Sequence, residues 1–547
     1  MPLVAGMILG ALLFAWRNPR WINPDCAVNL CLGDLLLNGQ IPYVDFVEIN
    51  PPLIMYVNTL PALVARVLDC GPILCFQGLV IAVWIISILQ LRAILFFASG
   101  PFRREEVGII LTAWSFSTIC VHLQDHFGQR EHLFLLFYIP FLVMRILRHQ
   151  GERYRAPLTI LTGALAGIGV SLKPHYLLAA ILAEALLLLI RGEFRRALDT
   201  ENLALSAVVL AYVGHWLLVP AEMREAFFGR WVPLVVDGYA AYDAKGLLGR
   251  WLPMANLTWP FDTRWTRWPR ILLSAGVLLA ELACLGLAVR SSLRPGSRFR
   301  LFLISFPALS ILGLLLYWVQ GKGFPYHRIP MDLPVLMTLC FLYLETSRVD
   351  ASRPPSPSRS IRQGLVYAAC ALLTVLFFAR AAIIPPREVS PAVAELDRGF
   401  RRLVEAHSGA NDPILAFSTS VAPIFPTILQ LDRAPGSRYI WTFPLAFFYH
   451  VTGDEAVSSG YHKPDSMPLE ESRFLGELGA DVANRKPILV VIPNRPGGQG
   501  LPEWFNIAEY LESVGWMEEA LQGYERVGGE GAWLGFRRKQ STEVPNG

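Results

Sequence analysis

Runs of about 20 apolar residues recur along most of the chain, and this repetition restricts its fold more than any motif does. A lipid bilayer offers the backbone no water to bond with. A run of that length can therefore cross only as a helix, or as part of a closed barrel built from far shorter strands. About eleven runs qualify on length and apolarity. They are 1–16, 73–98, 107–123, 133–148, 156–172, 175–191, 203–220, 271–290, 301–319, 329–346 and 364–384. The expected fold is an all-α polytopic bundle over 1–385. The run before Arg17 lacks the basic start and small-residue cleavage site of a secretory signal, so it is read as a span. Charged residues are 17% of the 547, against about a quarter in soluble domains. A net charge of +4 gives no reason to expect a nucleic-acid partner.

Arginine orders the loops. The segments 102–106, 148–155, 191–198, 290–300 and 347–362 together hold 16 Arg, and they alternate with loops that hold few. Dense arginine marks the cytoplasmic side. The remaining loops, among them 17–72, 122–132, 220–270 and 320–328, then face outward. Arg17 and Arg20 flank the first span on the outer side and are the one disagreement. With eleven spans and a cytoplasmic start, residues 386–547 also fall outside. That segment holds strand-like runs at 413–420 and 486–494, a helix-like run at 503–516 and an aromatic close at 531–536. Such alternation predicts a small α/β domain.

The outer loops carry most of the chemistry-bearing residues. The first reads NPDCAVNLCLGDLLLNGQIPYVDFVEINPP and contains Asp25, Asp45 and Glu48. Its spacing from Cys26 to Leu37 predicts an amphipathic surface helix. Asp25 stands just before it, where it is either a helix cap or a catalytic group. Cys26, Cys31, Cys70 and Cys75 fall in or beside this loop, where an outward location allows a disulfide. The second loop, HLQDHFGQREHL, places Asp125, Arg130 and Glu131 at the mouth of two spans. Arg130 either pairs there with a neighbouring acid or serves a ligand.

Lys173 and His175 sit at a proline break between two runs, where the lysine either snorkels or binds phosphate. Lys322, Tyr326, His327 and Arg328 form a cationic, aromatic rim that fits either a membrane anchor or a ligand site. Glu184 and Glu281, inside spans, are set aside as partners for interhelical bonds. A base for a hydroxyl, cations for a phosphate and an apolar bundle for a lipid tail together describe group transfer from a lipid-linked phosphate.

At these residues the chain resembles the GT-C superfamily of integral membrane glycosyltransferases. It is most similar to the bacterial branch related to aminoarabinose transferases and protein O-mannosyltransferases. The resemblance rests on Asp25 after the first span, PYVDFVEINPP at 42–52, DHFGQREH at 125–132 and Lys173-Pro174. It covers about 380 residues, within the span-bearing part, and no motif of 386–547 contributes.

It implies inverting hexosyl or pentosyl transfer from a polyprenyl-phosphate sugar to an envelope lipid, glycan or protein, as in lipopolysaccharide and other glycan biosynthesis. Asp25 matches the family's acceptor base, and Asp125 and Glu131 compete for the second acidic role. Many relatives have Asp-Glu where this chain has Asp25-Cys26. A divalent metal is therefore not expected, nor any other cofactor. The implied location is the bacterial inner membrane, with the site and 386–547 on the periplasmic side. Two other readings are a lipid-linked glycan flippase and an O-antigen polymerase or ligase. The charges cluster at one mouth without an inverted repeat, which is unlike transporters.

The arginine pattern is tested by cysteine-accessibility labelling at Ser356 and Ser458. Ser356 is expected to react only from the cytoplasmic side and Ser458 only from outside. Both reacting from one side contradicts the topology.

Overall fold

A computed structural model describes residues 2–98, 102–120, 126–239, 281–322, 324–346, 391–449, 460–530 and 532–539. Among these, four helices are long and apolar enough to cross a membrane: Pro72–Phe97, Arg130–His149, Pro174–Arg191 and Phe302–Gln320. A fifth is added if the broken pair Thr200–Leu217 and Ala221–Gly238 is one span. The protein is thus a mostly helical, multi-pass membrane protein with a small sheet region, and the expectation of eleven spans is not met among the described residues. Pro2–Arg17 and Ala156–Ser171 are each shorter than a full crossing. The 107–123 run becomes a 12-residue helix followed by a π-helical turn, Phe116–Cys120. Half of 271–290, up to 280, and all of 347–362 and 364–384 lie outside the described residues.

The chain forms two compact units. The first comprises 1–21, 74–218 and 245–387. Its helices are α1 (Pro2–Arg17), α4 (Pro72–Phe97), α5 (Arg104–Ser115), α6 (Arg130–His149), α7 (Ala156–Ser171), α8 (Leu177–Arg191) and α9 (Thr200–Gly214), with Phe302–Gln320 and Ile329–Thr346. Helix α6 is its centre, buried almost end to end although it starts and ends in charged residues. That burial is possible because the charges are paired. Arg145, 1% exposed, reaches Glu184 at 2.7 Å, Asp199 at 2.8 Å and Glu201 at 2.6 Å. An arginine inside a bundle is tolerated on such terms. Glu184 is therefore an interhelical partner. Outer faces such as Leu189 and Val319 stay exposed and apolar, as lipid contact requires.

The second unit comprises 22–73, 219–244 and 388–547. Helix α2 (Pro24–Leu37) forms where a helix is expected, but it is not an amphipathic surface helix: Cys26 to Gly33 are all buried, because α3 and the domain after it cover its faces. Its cap is Asn23, whose side-chain oxygen accepts from the Asp25 amide at 3.0 Å. Asp25 stands two positions past the cap, in the first turn, and is not itself the cap. Helix α3 (Leu53–Leu68) has no counterpart in the sequence reading, because Asn58, Pro61 and Arg66 interrupt its apolar run. It packs on α2 closely enough that a Cβ at Gly33 would lie 2.5 Å from the Asn58 backbone. The four cysteines here and nearby, Cys26, Cys31, Cys70 and Cys75, are free thiols. Burial, with Asp34 adding to it, pushes Cys31 up to about 12.

The sheet of this unit has the order β2-β1-β3-β7-β6. Strands β1 (Pro413–Ala416), β2 (Ala434–Pro435) and β3 (Leu489–Pro493) are parallel. Strands β6 (Tyr524–Glu530) and β7 (Trp533–Arg538) join antiparallel. The run at 503–516 is a helix only from Ile507 to Ser513. Leu501–Asn506 is instead a strand paired with Pro496–Gly498, and Asn506 caps the helix that follows. The first loop is stitched to this domain. Val47 N–H donates to the Arg438 carbonyl at 2.8 Å, and Arg485 to the Asp45 carbonyl at 2.6 Å. Trp231 Nε1 donates to the Tyr43 carbonyl at 3.1 Å.

The α2–α3 contact leaves no room for a side chain at Gly33. Gly33→Ala is expected to cost roughly 1–3 kcal/mol, the usual range for overpacking. Thermal unfolding of the detergent-solubilised protein reads the loss. Hydrogen exchange should localise it to 24–68.

Candidate active site

In the first unit, three segments distant in sequence place their polar side chains around one buried carboxylate. Glu131 stands in the first turn of α6, where the helix dipole favours an acid. Pro174 ends the preceding helix, and Lys173 before it is extended, so its side chain leaves the helical stack. His327 sits in the short turn Pro325–Arg328. Lys173 Nζ donates to Glu131 Oε1, and His327 Nε2 lies 3.9 Å from the same oxygen. Glu131, Lys173 and His327 are 1%, 7% and 4% exposed.

The electrostatics of this cluster favour an anion. Burial first, then the Lys173 ammonium, hold His327 well below its ordinary value, so it is neutral at pH 7. Arg130, half-buried, adds a second positive charge that acts on both Glu131 and His327. Lys173 and Arg130 thus act as two cations on the one buried carboxylate of Glu131. His327 Nδ1 is buried with no hydrogen-bond partner among the described residues. The Tyr326 ring centre stands 5.7 Å from Lys173 Nζ, within cation–π range. His175 borders the cluster, half-buried, edge-on to Tyr176 at 4.8 Å. One carboxylate already bonded to a lysine is a poor donor set for a divalent cation, which takes several oxygens. The groups there that can meet a phosphate are the Lys173 ammonium and the Arg130 guanidinium.

Of the other expected phosphate ligands, Arg328 is answered by carboxylates and Lys322 is buried. Arg328 is 1% exposed and bonds Asp332 at 2.9 Å and Glu281 at 3.2 Å. Glu281, like Glu184, is thereby an interhelical partner. Lys322 is 2% exposed and follows Gly321, whose positive φ of 65° ends the Phe302–Gln320 helix. Asp125 lies outside the described residues.

The remaining acids belong to the second unit. Asp45 Oδ2 accepts from the Ile41 amide at 2.7 Å. Glu48, 4% exposed, accepts from the amides of Ile49 at 2.9 Å and Asn50 at 3.2 Å. Both bonds fix the loop's own backbone. Asp25 is half-buried at the start of α2.

Sequence reasoning missed Asp332 and Arg145. A span-embedded arginine with acids on neighbouring runs was the available signal for both.

The Lys173–Glu131 pair supports a double-mutant test. Lys173→Met strands a buried carboxylate and is expected to cost roughly 3–5 kcal/mol. Adding Glu131→Gln should recover a large part of that loss. Thermal unfolding of the two single variants and the double gives the coupling. Additive losses would mean the two side chains do not interact.

No protein-family profile matches the chain, and no curated protein matches it in sequence. Solved structures resemble it in fold, two among them as follows. The crystal structure of ArnT from Cupriavidus metallidurans, bound to undecaprenyl phosphate, aligns at a TM-score of 0.54 with 10% identity over 98% of each chain. The apo oligosaccharyltransferase of Archaeoglobus fulgidus aligns at 0.37 with 11% identity, over 100% of this chain and 75% of its own. The ArnT likeness spans nearly both chains. The chain therefore shares the fold of that ArnT structure.

Proposed function

We propose that the protein is a glycosyltransferase that takes a hexose or pentose from a polyprenyl-phosphate donor and passes it, with inversion, to an extracytoplasmic acceptor. The observation that carries this reading is the buried Lys173–Glu131–His327 cluster, with the Arg130 cation beside it, set in a fold shared with a protein that binds undecaprenyl phosphate. In this reading Lys173, Arg130 and Lys322 hold the donor phosphate. Glu131 fixes the Lys173 ammonium, and His175, Tyr326 and His327 line the site. Arg328, answered by Asp332 and Glu281, braces the His327 turn from behind.

Asp25 is the general base. The acceptor hydroxyl oxygen attacks the anomeric carbon while its proton passes to Asp25. The bond from the anomeric carbon to the phosphate oxygen breaks, and the electron pair leaves with the polyprenyl phosphate. The cations answer the charge that develops on that phosphate. Asp45 and Glu48 shape the loop that follows α2, and Asp125 competes with Glu131 for the second acidic role. The reading sets the enzyme in a bacterial inner membrane, crossed eleven times. The site and 386–547 face the periplasm, and the acceptor is an envelope lipid, glycan or protein.

The test is turnover by the purified full-length protein with labelled polyprenyl-phosphate sugars and envelope acceptors. Asp25→Asn should lower turnover roughly 10²–10⁴-fold, the usual contribution of a general base, with donor binding near normal. Lys322→Ala should weaken donor use roughly ten- to a hundred-fold, one hydrogen bond to a charged group, and spare the acceptor. Wild-type turnover in the Asp25 variant would move the base to another acid. No transfer from any polyprenyl-phosphate sugar would contradict the reading.

A further inference from the structure

The first unit contains a second cavity-borne set of charges, far from Glu131. A cavity of about 1080 Å³ opens among α1, α4, α5 and the Ile329–Thr346 helix. It exceeds the roughly 300–1,000 Å³ of pockets for drug-sized ligands. Its walls are apolar, from residues such as Phe96, Leu111, Leu336 and Leu339. Two arginines stand in this lining, Arg92 on α4 and Arg104 at the start of α5, both exposed. Neither makes a hydrogen bond or ion pair among the described residues. Glu105 also lines the cavity and pairs with neither.

An arginine five residues inside the end of a 26-residue apolar helix is costly in hydrocarbon unless it reaches a counter-charge or the headgroup layer. Elsewhere in this unit the embedded arginines, Arg145 and Arg328, have carboxylates of their own. Arg92 has none, and it shares its cavity with Arg104. The counter-charge that fits must be anionic and must carry apolar chains. It must also be available at this depth of a membrane.

We propose that this cavity binds an anionic diacyl phospholipid, with its phosphate on Arg92 and Arg104 and its acyl chains along Phe96, Leu336 and Leu339. The site is separate from the transfer site. A Cβ at Gly128, in the turn before Glu131, would touch the Phe76 ring, so that turn lies at the start of α4. Arg92 is 16 residues further along the same helix, about 24 Å at 1.5 Å per residue. The two arginines lie beside the 102–106 loop, at the arginine-rich end where anionic headgroups concentrate. A polyprenyl-phosphate carrier has the same charge chemistry, so the experiment includes it as a competitor.

Native mass spectrometry of the delipidated full-length protein, titrated with phosphatidylglycerol and with phosphatidylcholine, tests the site. The wild type should prefer phosphatidylglycerol roughly tenfold or more, given the usual contribution of two arginines near a membrane surface. In the Arg92→Gln/Arg104→Gln variant the preference should fall to about twofold or less. Gly108 lines the cavity with open space where its Cβ would be. Gly108→Leu should therefore fill the space and lower binding of both lipids, while improving helix propensity and leaving turnover intact. Equal binding of the two lipids by the wild type overturns the proposal. So does a preference that survives the double substitution, or binding unchanged in Gly108→Leu. Displacement of phosphatidylglycerol by undecaprenyl phosphate at equimolar concentration would assign the cavity to the carrier instead.

Discussion

The buried bond between Lys173 and Glu131 is the interaction on which the rest of the first unit turns. Neither group is tolerable alone in a bundle surrounded by lipid, because an unpaired buried charge costs several kcal/mol. Their pairing lets α6 run through the centre of the unit while starting with two charged residues. It also fixes where the chain must break after α7, since Lys173 has to leave the helix before Pro174. His327 is then brought to the same oxygen from the other side. The cluster is both a structural joint and the only described place where Lys173, Arg130 and a neutral imidazole meet. That double role explains why it survives its own desolvation cost.

The same logic repeats at the other polar positions inside the membrane part. Arg145 is met by three carboxylates from other segments, and Arg328 by Glu281 from another segment and by Asp332 four residues on. Their charges are cancelled locally, which suits a brace and not a ligand site. The Lys173–Glu131 pair differs in having a second cation, Arg130, beside it. The Arg92–Arg104 pair differs further, because it has no protein acid bonded to it among the described residues.

Much of the scaffold was legible in the sequence. The runs at 73–98, 133–148, 175–191 and 301–319 became helices within a few residues of expectation, because length and apolarity alone dictate a span. The strands at β1 and β3 followed from their apolar runs, and the helix at α2 was expected, though as a surface helix and not a buried one. What was not legible was long-range. Nothing local tells that Glu281 faces Arg328, or that Arg438 and Arg485 bond a loop about 400 residues or more earlier in the chain. Helix α3 was hidden by Pro61 and two polar residues on an otherwise apolar run. Asn23 displaced Asp25 as the cap because a proline at the first helical position favours the residue before it. Of the candidate site, residue types and loop membership were readable. Which cations were already spent was not, since that depends on partners.

The central claim is that the Lys173 cluster receives the phosphate of a lipid-linked sugar. An experimental structure of the full-length protein with a polyprenyl phosphate tests it most directly. The account predicts phosphate oxygens at hydrogen-bond distance, about 3 Å, from Lys173 Nζ, with Arg130 turned toward them. A carrier bound with its phosphate at Arg92 and Arg104, or anywhere that leaves Lys173 bonded to Glu131 alone, would contradict it.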